Sequence, residues 1–170
     1  MNLEQYIRDI PDFPKKGILF KDITPLLGDK KALIYTLDAL FELIDGKNID
    51  KVVGTEARGF FFGMLLAQKL DAGFVPVRKP GKLPYHTFGA SYELEYGTDR
   101  LEMHRDAIHK GERVLVHDDV LATGGTAKAV CELVEQTGGI VTQCNFLIEL
   151  SFLNGRKKLS GYQTKSLLRY

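Results

Sequence analysis

The sequence has no tryptophan, only two cysteines and six prolines, and no surplus of either charge: 23 Lys and Arg against 22 Asp and Glu leave a formal net charge of +1. Near-neutrality argues against a domain that holds duplex nucleic acid mainly by counterion release, because such domains carry a basic excess; local basic patches stay open. No apolar run approaches the roughly 18 residues needed to span a bilayer. The opening MNLEQYIRDI lacks the basic, then apolar, then small-residue order of a secretory signal. The expectation is a cytoplasmic protein with neither membrane nor nucleic acid as partner. Cys131 and Cys144 form no CxxC pair, and Cys131 falls on an apolar helical stripe. Both are expected as buried, reduced thiols and not as a disulfide or metal pair.

What is abundant is glycine. Seventeen of the 170 residues are glycine, about a tenth of the chain where roughly 7% is usual. With proline scarce, that surplus points to backbone geometry and not to a linker. The length suits one domain, residues 1–170, with a sizeable core. Leu3, Tyr6, Ile7 and Ile10 have the spacing of a short amphipathic helix stopped by PDFP, and residues 11–30 read as an ordered loop. Leu33, Leu37, Leu40, Phe41 and Ile44 predict a helix. A strand at Val52-Val53 precedes GTEARG and a helix from Phe60 to Leu70. A strand from Phe74 to Val77 leads into the basic stretch Arg78 to Pro84, and alternation follows from Tyr92 to Tyr96. A strand from Arg113 to His117 is ended by two aspartates. Ala127, Val130, Cys131 and Val134 mark a helix closed by Gly138-Gly139, and Ile140 to Leu150 is a strand. Repeated strand–helix–strand units predict an α/β fold, a mostly parallel twisted sheet with helices on both faces and its sites at the carboxyl ends of the strands.

Three motifs fall at that edge: GTEARG, RKPGKLP and HDDVLATGGT. In the last, small residues at Ala122, Gly124 and Gly125 let the backbone wrap an anion. Thr123 and Thr126 offer hydroxyls, and a helix start adds unpaired N–H groups with partial positive charge. This is neither GK[ST] nor GxGxxG. Asp118 and Asp119 would repel a phosphate, but they suit ribose hydroxyls, which donate. Either half alone also fits a solvated turn or an ordinary helix start; joined behind an apolar strand they read as a sugar-phosphate site. Taken alone, EARG equally fits a helix N-terminus with incidental charge, Arg78, Lys79 and Lys82 a solvated basic loop, and ELEYG an edge strand with alternating faces. His117 is expected as a packed or hydrogen-bonded core histidine. His86, His104 and His109 show no metal-ligand spacing.

VLVHDDVLATGGTA resembles the ribose-phosphate signature of the type I phosphoribosyltransferases. PDFPKKGILFKDITPLL, GTEARGF, RKPGKLP and ASYELEYG are similar, in order and spacing, to the adenine phosphoribosyltransferase family, from about Tyr6 to the closing SLLRY. The resemblance implies that family's fold, with a base-binding hood over residues 1–30 and a mobile lid from about Lys82 to Glu95. It implies transfer of phosphoribose from 5-phosphoribosyl 1-pyrophosphate to adenine in purine salvage, giving AMP and pyrophosphate. Magnesium (Mg2+) would be held mainly by the donor and water, with no dedicated protein site. Ala122, Thr123, Gly124, Gly125 and Thr126 would then bind the 5'-phosphate, and Asp118 and Asp119 the ribose. Glu56, Ala57, Arg58 and Gly59, with a cis peptide between Glu56 and Ala57, would face the pyrophosphate together with Arg78, Lys79 and Lys82. Glu95 would be catalytic, with Tyr96 its neighbour. Leu19, Phe20 and Lys21 would bind adenine, chiefly through the main chain. An arginine matching Arg78 tends to cross a dimer interface in the family, which implies a homodimer.

Other readings keep the same donor with guanine, hypoxanthine or xanthine as acceptor, or make the chain a donor-sensing regulator that binds nucleic acid. The lid, Glu95 and base segments favour the enzyme, and the missing basic extension disfavours the regulator. A binding domain without catalysis is the plainest alternative.

Overall fold

A computed structural model describes residues 1–46, 48–93 and 98–170. The chain forms two compact units, Met1–Ala39 and Leu40–Tyr170.

In the first unit, a single 3-10 turn over Leu3–Tyr6 is capped by the Asn2 side chain, which accepts the Glu4 N–H at 3.1 Å. The chain then extends as β1 (Arg8–Pro11), antiparallel to β2 (Leu19–Asp22), with Ile10 opposite Phe20. The helix expected over Leu3 to Ile10 is therefore replaced by one turn and a strand. Cross-strand pairing overrides the helical spacing: Lys21 donates to Asp9 at 2.6 Å and Arg8 lies 3.8 Å from Asp22. The loop expected over residues 11–30 shrinks likewise, because it contains β2 and α1 (Thr24–Gly28). The Asp22 carboxylate accepts both the N–H and the hydroxyl of Thr24 at 2.9 Å, and Pro25 pre-sets the first turn of α1. Asp29 accepts the N–H groups of Lys31 and Ala32, and starts α2 (Lys30–Glu42).

The second unit is built on strands β3 (Lys51–Thr55), β4 (Gly73–Val77), β7 (Arg113–Leu121), β8 (Ile140–Glu149) and β9 (Thr164–Arg169). All pair in parallel, in the order β4-β3-β7-β8-β9. β5 (Thr87–Glu93) and β6 (Thr98–His104) form a separate antiparallel pair. Helices α3 (Gly59–Lys69) and α4 (Gly125–Gln136) follow β3 and β7. Along β7, Val114 and Val116 pack in one cluster with Val130, Cys131 and Val134 of α4, whereas His117 turns toward Gly63 of α3. The alternation of a strand thus puts the two helices on opposite faces, as expected.

Three readings change. β7 does not stop at His117, because the backbones of Asp118 and Val120 still pair with Phe146 and Ile148 of β8; both aspartates stand inside the strand. Residues 87–93, placed in the lid, form β5, since Ala90, Leu101 and Met103 bury one face of the hairpin. β9 was not anticipated; its side chains are all partly or fully exposed, so it carries no buried apolar run.

β8 supplies the unit with buried amides. The Asn145 side chain donates to the Leu40 carbonyl at 3.1 Å, and that of Gln143 to Leu43 at 3.2 Å while accepting the Asp45 N–H at 3.1 Å. They meet carbonyls that the end of a helix leaves without partners. Beside Asn145 in the register lies His117, fully buried. Burial pushes its imidazole down from 6.5 to about 4, with Asn145 offsetting part of the shift. Between those values the unfolded chain takes up a proton that the folded core refuses. Stability is complete above pH 6.5 and falls by about 3 kcal/mol as the pH drops toward 4. Urea unfolding across that window is expected to show a steeper acid loss in the native chain than in His117→Leu; parallel pH curves would contradict it.

Candidate active site

From β3 the chain moves outward through α3 to β4, and from the neighbouring β7 it moves the opposite way through α4 to β8. β3 and β7 therefore flank the switch point of the sheet, the place beyond whose carboxyl ends such folds bind ligands. A cavity of about 300 Å³ opens there. Its walls include Glu56, Ala57, Arg58, Lys79, Asp118, Asp119, Ala122 and Thr126, drawn from all three motifs. Tyr92 and Leu101, from β5 and β6, line it too and were not among the expected site residues. Alternation around Tyr92 hints at its strand, but only the pairing with β6 brings it here.

Two acids in this cavity, Glu56 and Asp119, have a cation beside them. Arg58 Nε lies 2.9 Å from Asp119 Oδ2, and Asp118 Oδ1 accepts the Asp119 N–H at 2.9 Å. Burial raises both carboxyls; the Asp119 charge pushes Asp118 well above the usual range, while Arg58 pulls Asp119 back down. The peptide bond between Glu56 and Ala57 is cis. Glu56 Oε2 accepts the Lys79 N–H at 2.8 Å and Arg78 Nε at 3.1 Å, and Oε1 accepts Lys82 Nζ at 2.6 Å. Burial alone would raise the Glu56 carboxyl. The hydrogen bonds from Lys82 and Lys79 and the charges of Lys82 and Arg78 outweigh it and hold it below its ordinary value. Lys79 pairs with Asp99, which also accepts the Tyr92 hydroxyl at 3.2 Å. The basic stretch is thus a network tied to named carboxylates and not a solvated loop.

A smaller hollow of about 60 Å³ adjoins Asp118, bounded by Ala122, Thr123, Gly124 and Thr126. Gly124 has φ +80°, in the left-handed region that favours glycine, and is the N-cap of α4. The first turn of α4 carries no acidic residue, and its first intrahelical bond runs from the Lys128 N–H to the Gly124 carbonyl at 3.0 Å. The N–H groups of Gly125, Thr126 and Ala127 lie ahead of that bond, where a helix has none of its own carbonyls to offer. Gly59 closes the approach of α3: an added methyl would stand 2.8 Å from Asp118 Oδ1 and 3.1 Å from the His117 carbonyl.

Leu19, Phe20 and Lys21 lie on β2 in the first unit. Leu19 is exposed, Phe20 packs edge-on against Phe13 at 5.1 Å, and Lys21 is buried against Asp9. Glu95 and Tyr96 lie outside the described residues. Cys131 and Cys144 are buried free thiols with Sγ atoms 3.5 Å apart. Among the described residues no group of three His, Cys, Asp or Glu side chains is placed to hold a metal ion, and no helix is long and apolar enough to cross a membrane.

Residues 27–148 match the phosphoribosyl transferase domain family. The chain is 68% identical to the adenine phosphoribosyltransferase of Flavobacterium johnsoniae over the full length of both. Its structure is similar to the crystal structure of adenine phosphoribosyltransferase from Thermoanaerobacter pseudethanolicus, with TM-score 0.97 and 56% identity over 99% of this chain and 98% of that one. It is also similar to the Saccharomyces cerevisiae enzyme crystallised with an imino-altritol bisphosphate and adenine, with TM-score 0.92 and 45% identity over 98% and 96% of the two chains. A match of this extent, over the segments that build the switch-point cavity, places the chain in the adenine phosphoribosyltransferase family.

Proposed function

We propose that this chain transfers the phosphoribosyl group of 5-phosphoribosyl 1-pyrophosphate to adenine, forming AMP and pyrophosphate in purine salvage. The observation that carries the assignment is the continuous run from the paired carboxylates of Asp118 and Asp119 into the hollow at Ala122 to Thr126, beside the Glu56 to Arg58 turn.

The 5'-phosphate takes the hollow, with N–H groups from the start of α4 and the Thr123 and Thr126 hydroxyls as donors. Asp118 and Asp119 accept from the 2'- and 3'-hydroxyls, and Arg58 keeps their combined charge in check. Arg58, Arg78, Lys79 and Lys82 face the diphosphate leaving group; the planar guanidinium of Arg58 matches its oxygens better than an ammonium would. As adenine N9 bonds to C1', the C1'–O bond to pyrophosphate breaks and takes its electron pair, and N9 loses its proton. Glu95 is assigned to that proton, with Tyr96 beside it. Main-chain groups of Leu19 and Lys21, with Phe20, read adenine, so residues 1–30 serve as the hood.

Magnesium fits this site only as a companion of the donor. Glu56 and Asp119 already face cations, and this ion keeps several waters and is bound mostly through substrate phosphates with one or two carboxylates. When bound it would neutralise charge on the departing diphosphate. We assign the protein to the cytoplasm, in keeping with its two free thiols. A homodimer is supported by α3, which leaves Phe61 and Met64 half exposed on neighbouring turns; Arg78 would reach across that interface.

An assay of adenine, guanine, hypoxanthine and xanthine with the donor and magnesium is expected to release pyrophosphate with adenine alone; turnover of another base would redirect the assignment. Glu95→Gln is expected to lower kcat by about 10² to 10⁴ with far less change in KM, the range of a positioned acid or base. Near-normal turnover would remove Glu95 from the chemistry. Mixing inactive Arg78→Ala and Glu95→Gln protomers is expected to restore part of the activity, as only shared sites can.

A further inference from the structure

The cradle at Ala122 to Thr126 has only two side chains longer than a methyl, those of Thr123 and Thr126, and the segment that backs it comes from further along the chain. A methyl group added to Gly124 would collide with the Gly155 carbonyl oxygen and stand 3.0 Å from its carbon and 3.1 Å from its Cα. A methyl added to Gly155 would in turn collide with the Ala122 carbonyl and stand 2.9 Å from the Gly124 nitrogen. The two backbones therefore touch over both ends of the Ala122–Gly124 loop. Gly155 is buried, at the junction of two 3-10 turns, Ser151–Leu153 and Gly155–Leu159, with Asn154 at φ +53° between them.

The next residue locks this junction to the sheet. Arg156 meets the carboxylate of Glu149, the last residue of β8, with Nε at 3.0 Å from Oε1 and Nη2 at 2.5 Å from Oε2. Its Nη1 donates to the Thr164 carbonyl of β9 at 2.5 Å. Glu149 is nearly buried and also accepts the Ser166 hydroxyl at 2.7 Å, while Leu150 N–H donates to the Leu121 carbonyl at 2.9 Å. A bidentate guanidinium–carboxylate pair of this kind fixes orientation as well as distance. The ends of β7, β8 and β9 are thereby tied to one another, and Gly155 is held against the back of the cradle.

We propose that Gly155 is a positioning residue for 5'-phosphate recognition and that the Arg156–Glu149 pair is the clamp that holds it. The inference rests on the assignment of Ala122 to Thr126 to the phosphate. Backbone N–H groups grip an anion only when aimed together, and a shift of a few tenths of an ångström at Ala122 or Gly124 spoils several of these contacts at once. Neither Gly155 nor Arg156 needs to touch the ligand.

AMP and adenosine differ only in the 5'-phosphate, so the ratio of their dissociation constants isolates the cradle. Calorimetry is expected to show that Gly155→Ala weakens AMP binding about tenfold or more, the loss of one charge-assisted hydrogen bond, and leaves adenosine binding unchanged. Arg156→Met is expected to act in the same sense, with partial recovery in Arg156→Lys, which keeps the charge but not the fork. A native AMP-to-adenosine ratio in Gly155→Ala, or equal loss of both ligands, would overturn the proposal. Should Gly155→Ala not fold, a native ratio in Arg156→Met overturns it instead. Gly124→Ala separates the two levels: if it too keeps the native ratio, the phosphate assignment itself is wrong, and if it alone loses the ratio, only the positioning role falls.

Discussion

The parallel pairing of β3 with β7, with Gly54 opposite His117, is the constraint on which the second unit's site depends. It sets two loop motifs, distant in sequence, at adjacent strand ends. The approach is close because glycine stands where the elements meet: a methyl on Gly54 would lie 2.8 Å from the Phe74 ring and 3.0 Å from the Gly59 carbonyl, and one on Gly59 would lie 2.8 Å from Asp118. α3 can therefore begin directly against β7, and Arg58, one residue ahead of it, comes within 2.9 Å of Asp119. A slip of β7 by one residue would reverse its faces and put His117 among the valines under α4. It would also carry both aspartates away from Arg58.

This placement has an electrostatic consequence. Burial and the Asp119 charge raise the affinity of Asp118 for protons, and a buried carboxylate with no cation beside it would be a costly charge to hold away from water. The chain answers by making the acids the buried partners and the cations the exposed ones: Glu56 is 8% exposed, whereas Arg78 and Lys82 are 36% and 49% exposed. Breaking a pair whose acid is buried leaves an uncompensated charge, a cost that the Lys79 N–H, bonded to Glu56 Oε2 at 2.8 Å, offsets in part. Arg78 and Lys82 thus stay open to solvent, while the buried acids hold the cavity wall in place.

The features legible in sequence were those carried by short local pattern. The turn at Ala122 to Thr126 and the acidic pair ahead of it follow from an apolar run ending in small and polar residues, and the resemblance to family segments extends the candidate site to Glu56, Arg58 and Arg78, which the structure brings together with them at one edge of the sheet. What escaped has a common cause in pairing between distant strands. Leu3 to Ile10 has helical spacing, yet from Arg8 onward it pairs with β2. Asp118 and Asp119 look like the end of a strand because acids often stop one, but the backbone there continues its ladder to β8. β6 and β9 carry mixed residues whose role as strands is decided by what lies beside them. Tyr92 and Asp99 reach the site only through the hairpin they share.

Gly155 illustrates the limit most clearly. Asn154-Gly155 is a turn signal by residue type, but nothing local states which carbonyl the turn will back. The selection of backbone over side chain for that contact has a physical basis. A side chain used as a brace must be confined to one rotamer, at a cost of up to about 2 kcal/mol for a long one, and it can swing away when the ligand leaves. Two backbones in contact have no rotamer to lose. Once β7, β8 and β9 are paired and Arg156 is seated on Glu149, the position of Gly155 is set by the sheet itself. The loop then inherits the rigidity of the paired strand ends, although its own sequence is among the most permissive in the chain.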